Sequence, residues 1–97
     1  MYARHAITCT GVSPVARPML RYLGQTAREL RVAAHISPAR IAAEVDVSES
    51  TIRRFESGRR WPQGGPDATI AVYADQTGTT PREIWARALE AWAAAGD

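Results

Sequence analysis

Residues 36–62 read ISPARIAAEVDVSESTIRRFESGRRWP, and this stretch decides the fold. Ser37-Pro38 predicts a helix start. A serine oxygen can accept from a free N–H at the cap, and proline at the first helical position lacks only an N–H that has no partner there. Ile36 before the cap and Ile41 after it have the spacing of a hydrophobic staple. This helix is expected over 38–45. Asp46-Val47 then breaks the chain, Ser48 is the next cap, and Val47 with Ile52 repeats the staple. A second helix is expected over 49–57, with Gly58 as its stop. Each helix has only about two turns, and the link between them is the short stretch 46–48. So short a link cannot lay two helices antiparallel and side by side. It forces the steep crossing of a helix-turn-helix. Ile41, Val45, Ile52 and Phe55 can pack at the crossing, and Ala42 is small where the backbones approach.

The second of these helices leaves a polar face. At about 100° per residue, Glu49, Ser50, Arg53 and Arg54 gather opposite Ile52 and Phe55. A helix in the major groove presents such a patch to base edges. Arginine donates twice to guanine, glutamate accepts from cytosine, and serine serves either kind of base. Taken alone, the patch reads as the solvated side of an amphipathic helix; on this helix pair it is a base-reading candidate. Ser37 and Ser48 cap helix N-termini, where free N–H groups and the helix dipole favour phosphate. Arg40 in the first turn of one helix, and Arg59 and Arg60 just past the other, are candidates to grip the backbone. The alternative for Arg59 and Arg60 is a solvated loop.

Working outward, Leu20, Leu23, Ala27, Leu30 and Ala34 form an apolar stripe on a preceding helix. Residues 1–18 lack periodicity, contain Gly11, Pro14 and Pro18, and are expected to be a flexible arm before a domain over 19–97. Arg4, His5 and Arg17 in that arm suit either minor-groove insertion or plain disorder. Downstream, Pro62, Gly64, Gly65 and Pro66 mark a loop. A helix over 67–77 turns Ile70, Tyr73 and Ala74 inward and ends at Gly78. Thr80-Pro81-Arg82-Glu83 is a capping box that opens a last helix, running to about Ala95. No stretch alternates like a strand. The expected fold class is all-α, a compact bundle of about five helices.

The last helix carries Trp85, Leu89 and Trp92 at i, i+4 and i+7, beside a second strip of Ile84, Ala88 and Ala91. Both strips together are wide for the edge of a small domain. Trp85, Leu89 and Trp92 either complete a small core or form a dimer contact.

The net charge is +2, yet its distribution is uneven. Residues 1–60 carry ten arginines against five carboxylates, and residues 61–97 two against five. A basic half suits a polyanion, although an unevenly charged solvated surface looks the same. Cys9 is the single cysteine, so no internal disulfide forms, and with only His5 and His35 no metal site is expected. His35 is expected to be a helix-end residue. No run approaches the roughly 18 apolar residues of a membrane helix, and no secretion signal opens the chain, so a cytoplasmic location is expected. A glycine-rich phosphate loop and paired carboxylates are both missing, which argues against an enzyme. No cofactor or small-molecule ligand is implied. The competing class is a protein-interaction module, such as an antitoxin or anti-repressor acting through the last helix.

The stretch Ile36 to Pro62, with the run VSESTIRRFESGRRWP over 47–62 as its most specific part, resembles the helix-turn-helix of the phage repressor and Cro family and of its bacterial xenobiotic-response-element-type relatives. The helix order over residues 20–90 is similar as well. The resemblance implies a lambda repressor-like DNA-binding domain, often a homodimer on an inverted-repeat operator in double-stranded DNA, which regulates transcription. It implies base-reading roles for Glu49, Ser50, Arg53 and Arg54. It implies phosphate contacts from Ser48, Thr51, Arg59 and the start of the 38–45 helix. It also implies a structural ion pair between Arg31 and Glu56. Two positions depart from the family pattern. Asp46 stands where glycine is usual, and Pro38 stands where a glutamine often touches phosphate, a contact proline cannot make.

Overall fold

The structure is a computed structural model, and it describes residues 16–62 and 65–96. Five helices follow one another: α1 (Ala16–Ala33), α2 (Pro38–Val45), α3 (Glu49–Glu56), α4 (Asp67–Thr77) and α5 (Pro81–Ala95). No strand is present among the described residues. Arg4, His5 and Cys9 lie outside those residues, as does the side chain of Arg17.

α1 begins at Ala16, so the expected arm over 1–18 is too long by three residues. Pro18 is the third residue of the helix, still within the first turn, where a missing N–H breaks no intrahelical bond. The helix ends at Ala33, and Ala34 is exposed in the terminal turn rather than part of the apolar stripe. His35 adopts the left-handed conformation at φ 59°, and its neighbour's amide closes the helix end, Ile36 N donating to Arg31 O at 3.1 Å.

The caps form where the serines and threonine predict them. Ser37 Oγ accepts from Arg40 N, Ser48 Oγ from Thr51 N and Thr80 Oγ1 from Glu83 N. The return half of the Thr80 capping box is absent, because the Glu83 carboxylate accepts from Arg87 Nε at 3.0 Å instead. α3 stops at Glu56, with Ser57 as its cap, one residue short of the expected end. Gly58 then takes φ 75°, with Gly58 N donating to Phe55 O and Arg59 N to Arg54 O. This pair of bonds is a Schellman stop, and it needs a residue that tolerates the left-handed region.

The core gathers Leu23 and Ala27 of α1, Ile41 of α2, Ile52 and Phe55 of α3, Ile70 and Tyr73 of α4, and Ile84 and Ala88 of α5. The leucine, isoleucine and phenylalanine side chains among them each contribute about 1.5–3 kcal/mol when fully buried. α1 packs against α3, α4 and α5, and α2 bridges α3 and α4. Ile36 and Val47, the outer halves of the two staples, are half-buried against the same core.

One approach is closer than any apolar pattern shows. A Cβ on Gly24 of α1 would lie 2.1 Å from the carbonyl oxygen of Phe55. A Cβ on Gly58 would lie 2.9 Å from Arg21 Cα. The end of α3 is therefore held against the α1 backbone through two glycines.

Candidate nucleic-acid interface

α2 ends at Asp46, which takes the left-handed conformation at φ 67° and ψ 49°. Its amide donates to Ala42 O, and Val47 N donates to the same oxygen at 3.0 Å. Ser48 is extended and caps α3. Aspartate reaches the left-handed region more readily than most residues, so the turn survives without glycine.

The hydroxyl of Ser48 is occupied. It accepts from Thr51 N and lies 3.1 Å from Ser50 Oγ and 2.9 Å from Thr51 Oγ1. The first turn of α3 thus presents a cluster of three hydroxyls beside the helix N-terminus. Ser37 Oγ likewise serves its cap, and its own O–H remains free to donate outward.

On the outer side of α3, Ser50, Arg53 and Arg54 are exposed, Glu49 and Thr51 half-buried. Arg53 Nη2 donates to Glu49 Oε2 one turn back. An exposed pair of this kind contributes only a few tenths of a kcal/mol, so little holds it against a competing acceptor. Arg53 and Arg54 face different clefts. On one flank lies a cleft of about 430 Å³, lined by Arg28, Arg31, Pro38, Arg53, Glu56 and Ser57. On the other lies one of about 190 Å³, lined by Thr51, Arg54, Arg60 and Trp61. Arg59 and Arg60 are exposed in the loop leaving α3, and Arg40 is exposed in the first turn of α2.

The pattern of pairing is uneven. Arg28, Arg40, Arg54, Arg59, Arg60 and Arg82 are exposed and have no side-chain partner among the described residues. All but Arg82 lie in the helix-turn-helix, in the loop that leaves it or in the clefts beside it. Ion pairing instead consumes Arg31, Arg53 and Arg87.

Beneath the patch lies a buried polar assembly. Arg31 Nε and Nη2 donate to the two oxygens of Glu56 at 2.7 and 2.9 Å, and Arg31 Nη1 donates to Ile36 O at 2.8 Å. The Tyr73 hydroxyl donates to the same carboxylate from α4. The hydrogen bonds to Glu56 raise the Arg31 guanidinium above its ordinary range, against the opposing effect of burial. Burial first, and the Glu56 hydrogen bond second, push the Tyr73 hydroxyl well above its ordinary range. Glu56 is thus shared by α1 and α4 from the last turn of α3, and α3 is braced on two sides.

Sequence patterning turns Tyr73 inward but gives no sign of its bond to Glu56, and it does not pick out Arg28 in the larger cleft or Trp61 in the smaller one. The Arg28 and Arg31 spacing of i, i+3 places both on one helix face, which is the signal that links Arg28 to the pair.

α5 turns Ile84 and Ala88 into the core and leaves Trp85 and Trp92 half-buried against it. Leu89 is 52% exposed. Much of the tryptophan bulk is therefore used within the fold, and Leu89 is the open apolar side chain of this helix.

A family model described as a helix-turn-helix domain matches residues 22–95, more than half of the chain. No curated protein and no solved structure matches it. The chain belongs to this helix-turn-helix family, and its fold and family are those of a DNA-binding regulator. No described helix is long and apolar enough to cross a membrane.

Proposed function

We propose that the protein is a sequence-specific regulator of transcription of the repressor/Cro type, which lays α3 in the major groove of double-stranded DNA. The observation that carries this reading is the set of arginines around the helix-turn-helix that have no side-chain partner among the described residues. An arginine without a carboxylate is a standing positive charge, and a polyanion is the partner that fits several of them at once. Glu49, Ser50, Arg53 and Arg54 read bases in this reading. Ser37, Arg40, Ser48, Thr51, Arg59 and Arg60 hold phosphates. The protein acts by occupying its operator in the cytoplasm, without catalysis or cofactor.

Selection of sites from randomised duplex DNA at about 0.1 M salt tests this. The expected result is an enriched inverted repeat with half-sites about one helical turn apart, the signature of a two-fold dimer. Replacing Arg54 by alanine is expected to cost about 1–3 kcal/mol and to relax preference at one base. Arg59→Ala is expected to weaken all sequences alike and to lower the salt slope by about one. Failure to enrich any sequence rejects sequence-specific reading.

The exposure of Leu89 supports a contact with a second protein surface through α5. A second copy is the occupant that fits an inverted repeat. Sedimentation at micromolar concentration is expected to show a dimer that Leu89→Glu dissociates. An antitoxin or anti-repressor partner in its place would bind with weak salt dependence, unlike DNA.

A further inference from the structure

We propose that the cleft between α1 and α3 is a seat for one DNA backbone phosphate, and that Arg28 is the residue that grips it. This inference rests on the DNA-binding reading above and adds a contact from α1, a helix to which that reading gives no DNA contact.

The cleft has three guanidinium groups in its lining and one carboxylate. Each nitrogen of Arg31 donates within the protein, and Glu56 balances its charge. Arg53 is shared with Glu49. Arg28 is exposed and has no partner among the described residues, for its neighbour Glu29 accepts from Gln25 instead. The uncompensated charge of the cleft therefore resides on Arg28. Its five donors are unspent and can fork onto phosphate oxygens.

Position argues for a phosphate rather than a base. A helix in the major groove has one sugar–phosphate strand on each side. Among the described residues α3 borders two arginine-lined clefts, one beside Arg53, Glu56 and Ser57 with Arg28 in its wall, the other beside Thr51 and Arg54 with Arg60 in its wall. Two clefts flanking one helix match two strands flanking one groove. Pro38 lines the first cleft and brings no N–H and no polar side chain to it. Within this cleft the grip then comes from another element, and α1 supplies it. Arg53 can contribute too, because its exposed bond to Glu49 is weak enough to be shared with a phosphate.

The test uses the full chain and a duplex carrying the selected site. Arg28→Ala is expected to lower affinity roughly ten-fold at 0.1 M salt, as loss of one charge-assisted contact would, and to lower the log–log salt slope by about one. Base preference is expected to stay unchanged, and Arg28→Lys to restore most of the slope. A scan with single neutral methylphosphonates identifies the phosphate. One position is expected to weaken the wild type and leave Arg28→Ala unaffected. If every substitution weakens both proteins equally, or if Arg28→Ala keeps its affinity and slope while the wild type binds normally, the cleft does not seat a phosphate and DNA binding stands without it. If the wild type shows no salt-dependent binding to any duplex, the DNA reading itself falls, and this proposal with it.

Discussion

Arg31 and Glu56 stand 25 residues apart in the chain and meet as a buried two-pronged ion pair, which ties the last turn of α1 to the last residue of α3. The pair is completed rather than isolated: Ile36 O takes the remaining Arg31 nitrogen, and Tyr73 adds a third hydrogen bond to the carboxylate. The orientation of the proposed recognition helix thus depends on polar contacts with two other helices as well as on Ile52 and Phe55.

Arg31→Ala is expected to destabilise the fold by about 3–5 kcal/mol, because it leaves the Glu56 carboxylate buried without a counter-charge. That is a large part of the roughly 5–15 kcal/mol available to a domain of this size. The double replacement Arg31→Met with Glu56→Leu is expected to cost clearly less than Arg31→Ala, since it removes the orphaned charge. Urea denaturation of the three proteins measures this. A double variant as weak as the single one would show that the pair's geometry, rather than its charge, carries the stability.

Gly24→Ala offers a test of sign. Within a helix, alanine is favoured over glycine by about 1 kcal/mol. Here the added methyl would meet the Phe55 carbonyl oxygen at 2.1 Å, a backbone atom that cannot rotate away. α1 and α3 must separate, and the expected net result is a loss of about 2–3 kcal/mol. The thermal midpoint reports the outcome. A rise on substitution would mean that the two helices slide past each other at little cost.

These two contacts show where sequence patterning stops. The α2–α3 pair was legible because its signals are local: Ser37 and Ser48 cap, Ile36 and Val47 staple, and the link is too short for any other crossing. The patch of Glu49, Ser50, Arg53 and Arg54 was legible for the same reason, from helical spacing alone. The Arg31–Glu56 pair has no local signal, and only family resemblance pointed to it. Tyr73 reads as one more inward aromatic residue, and nothing in its spacing announces a bond to Glu56. Gly24 sits between Leu23 and Ala27 of the apolar stripe, and its role is set by the backbone of a helix distant in sequence. The start of α1 was hidden because Pro18 looks like a loop marker, although the first turn tolerates it.

Asp46→Gly is expected to stabilise the protein by about 1 kcal/mol. Aspartate at φ 67° bears a steric cost of roughly 1–2 kcal/mol that glycine avoids, partly offset by the greater freedom of glycine in the unfolded chain. His35 at φ 59° is in the same position at the end of α1. The two sites are in separate turns, so their gains are expected to add. Urea midpoints of both single variants and the double variant check this. A loss at Asp46 would mean that its side chain makes a stabilising contact of greater value than the strain.

Tyr73 makes the stability of the protein sensitive to alkali. Its hydroxyl holds its proton more tightly when folded, chiefly through burial and then through the bond to Glu56. Below the ordinary tyrosine range near pH 10, both folded and unfolded chains keep the proton, and the stabilisation is complete. Above it, the unfolded chain ionises while the folded one does not. Stability is then expected to fall by up to about 1.4 kcal/mol per pH unit, continuing until the folded group ionises as well. All twelve basic residues are arginine, so no lysine titrates in this window and the three tyrosines are the side chains whose ordinary values lie near pH 10. Tyr73→Phe is expected to cost about 1–3 kcal/mol at pH 7, through the lost hydrogen bond to a buried carboxylate. It is also expected to flatten the fall above pH 10, so that the stability curves of variant and wild type converge as pH rises. Denaturation curves collected from pH 7 to 11.5 check both effects, and parallel curves would assign the alkaline loss to a group other than Tyr73.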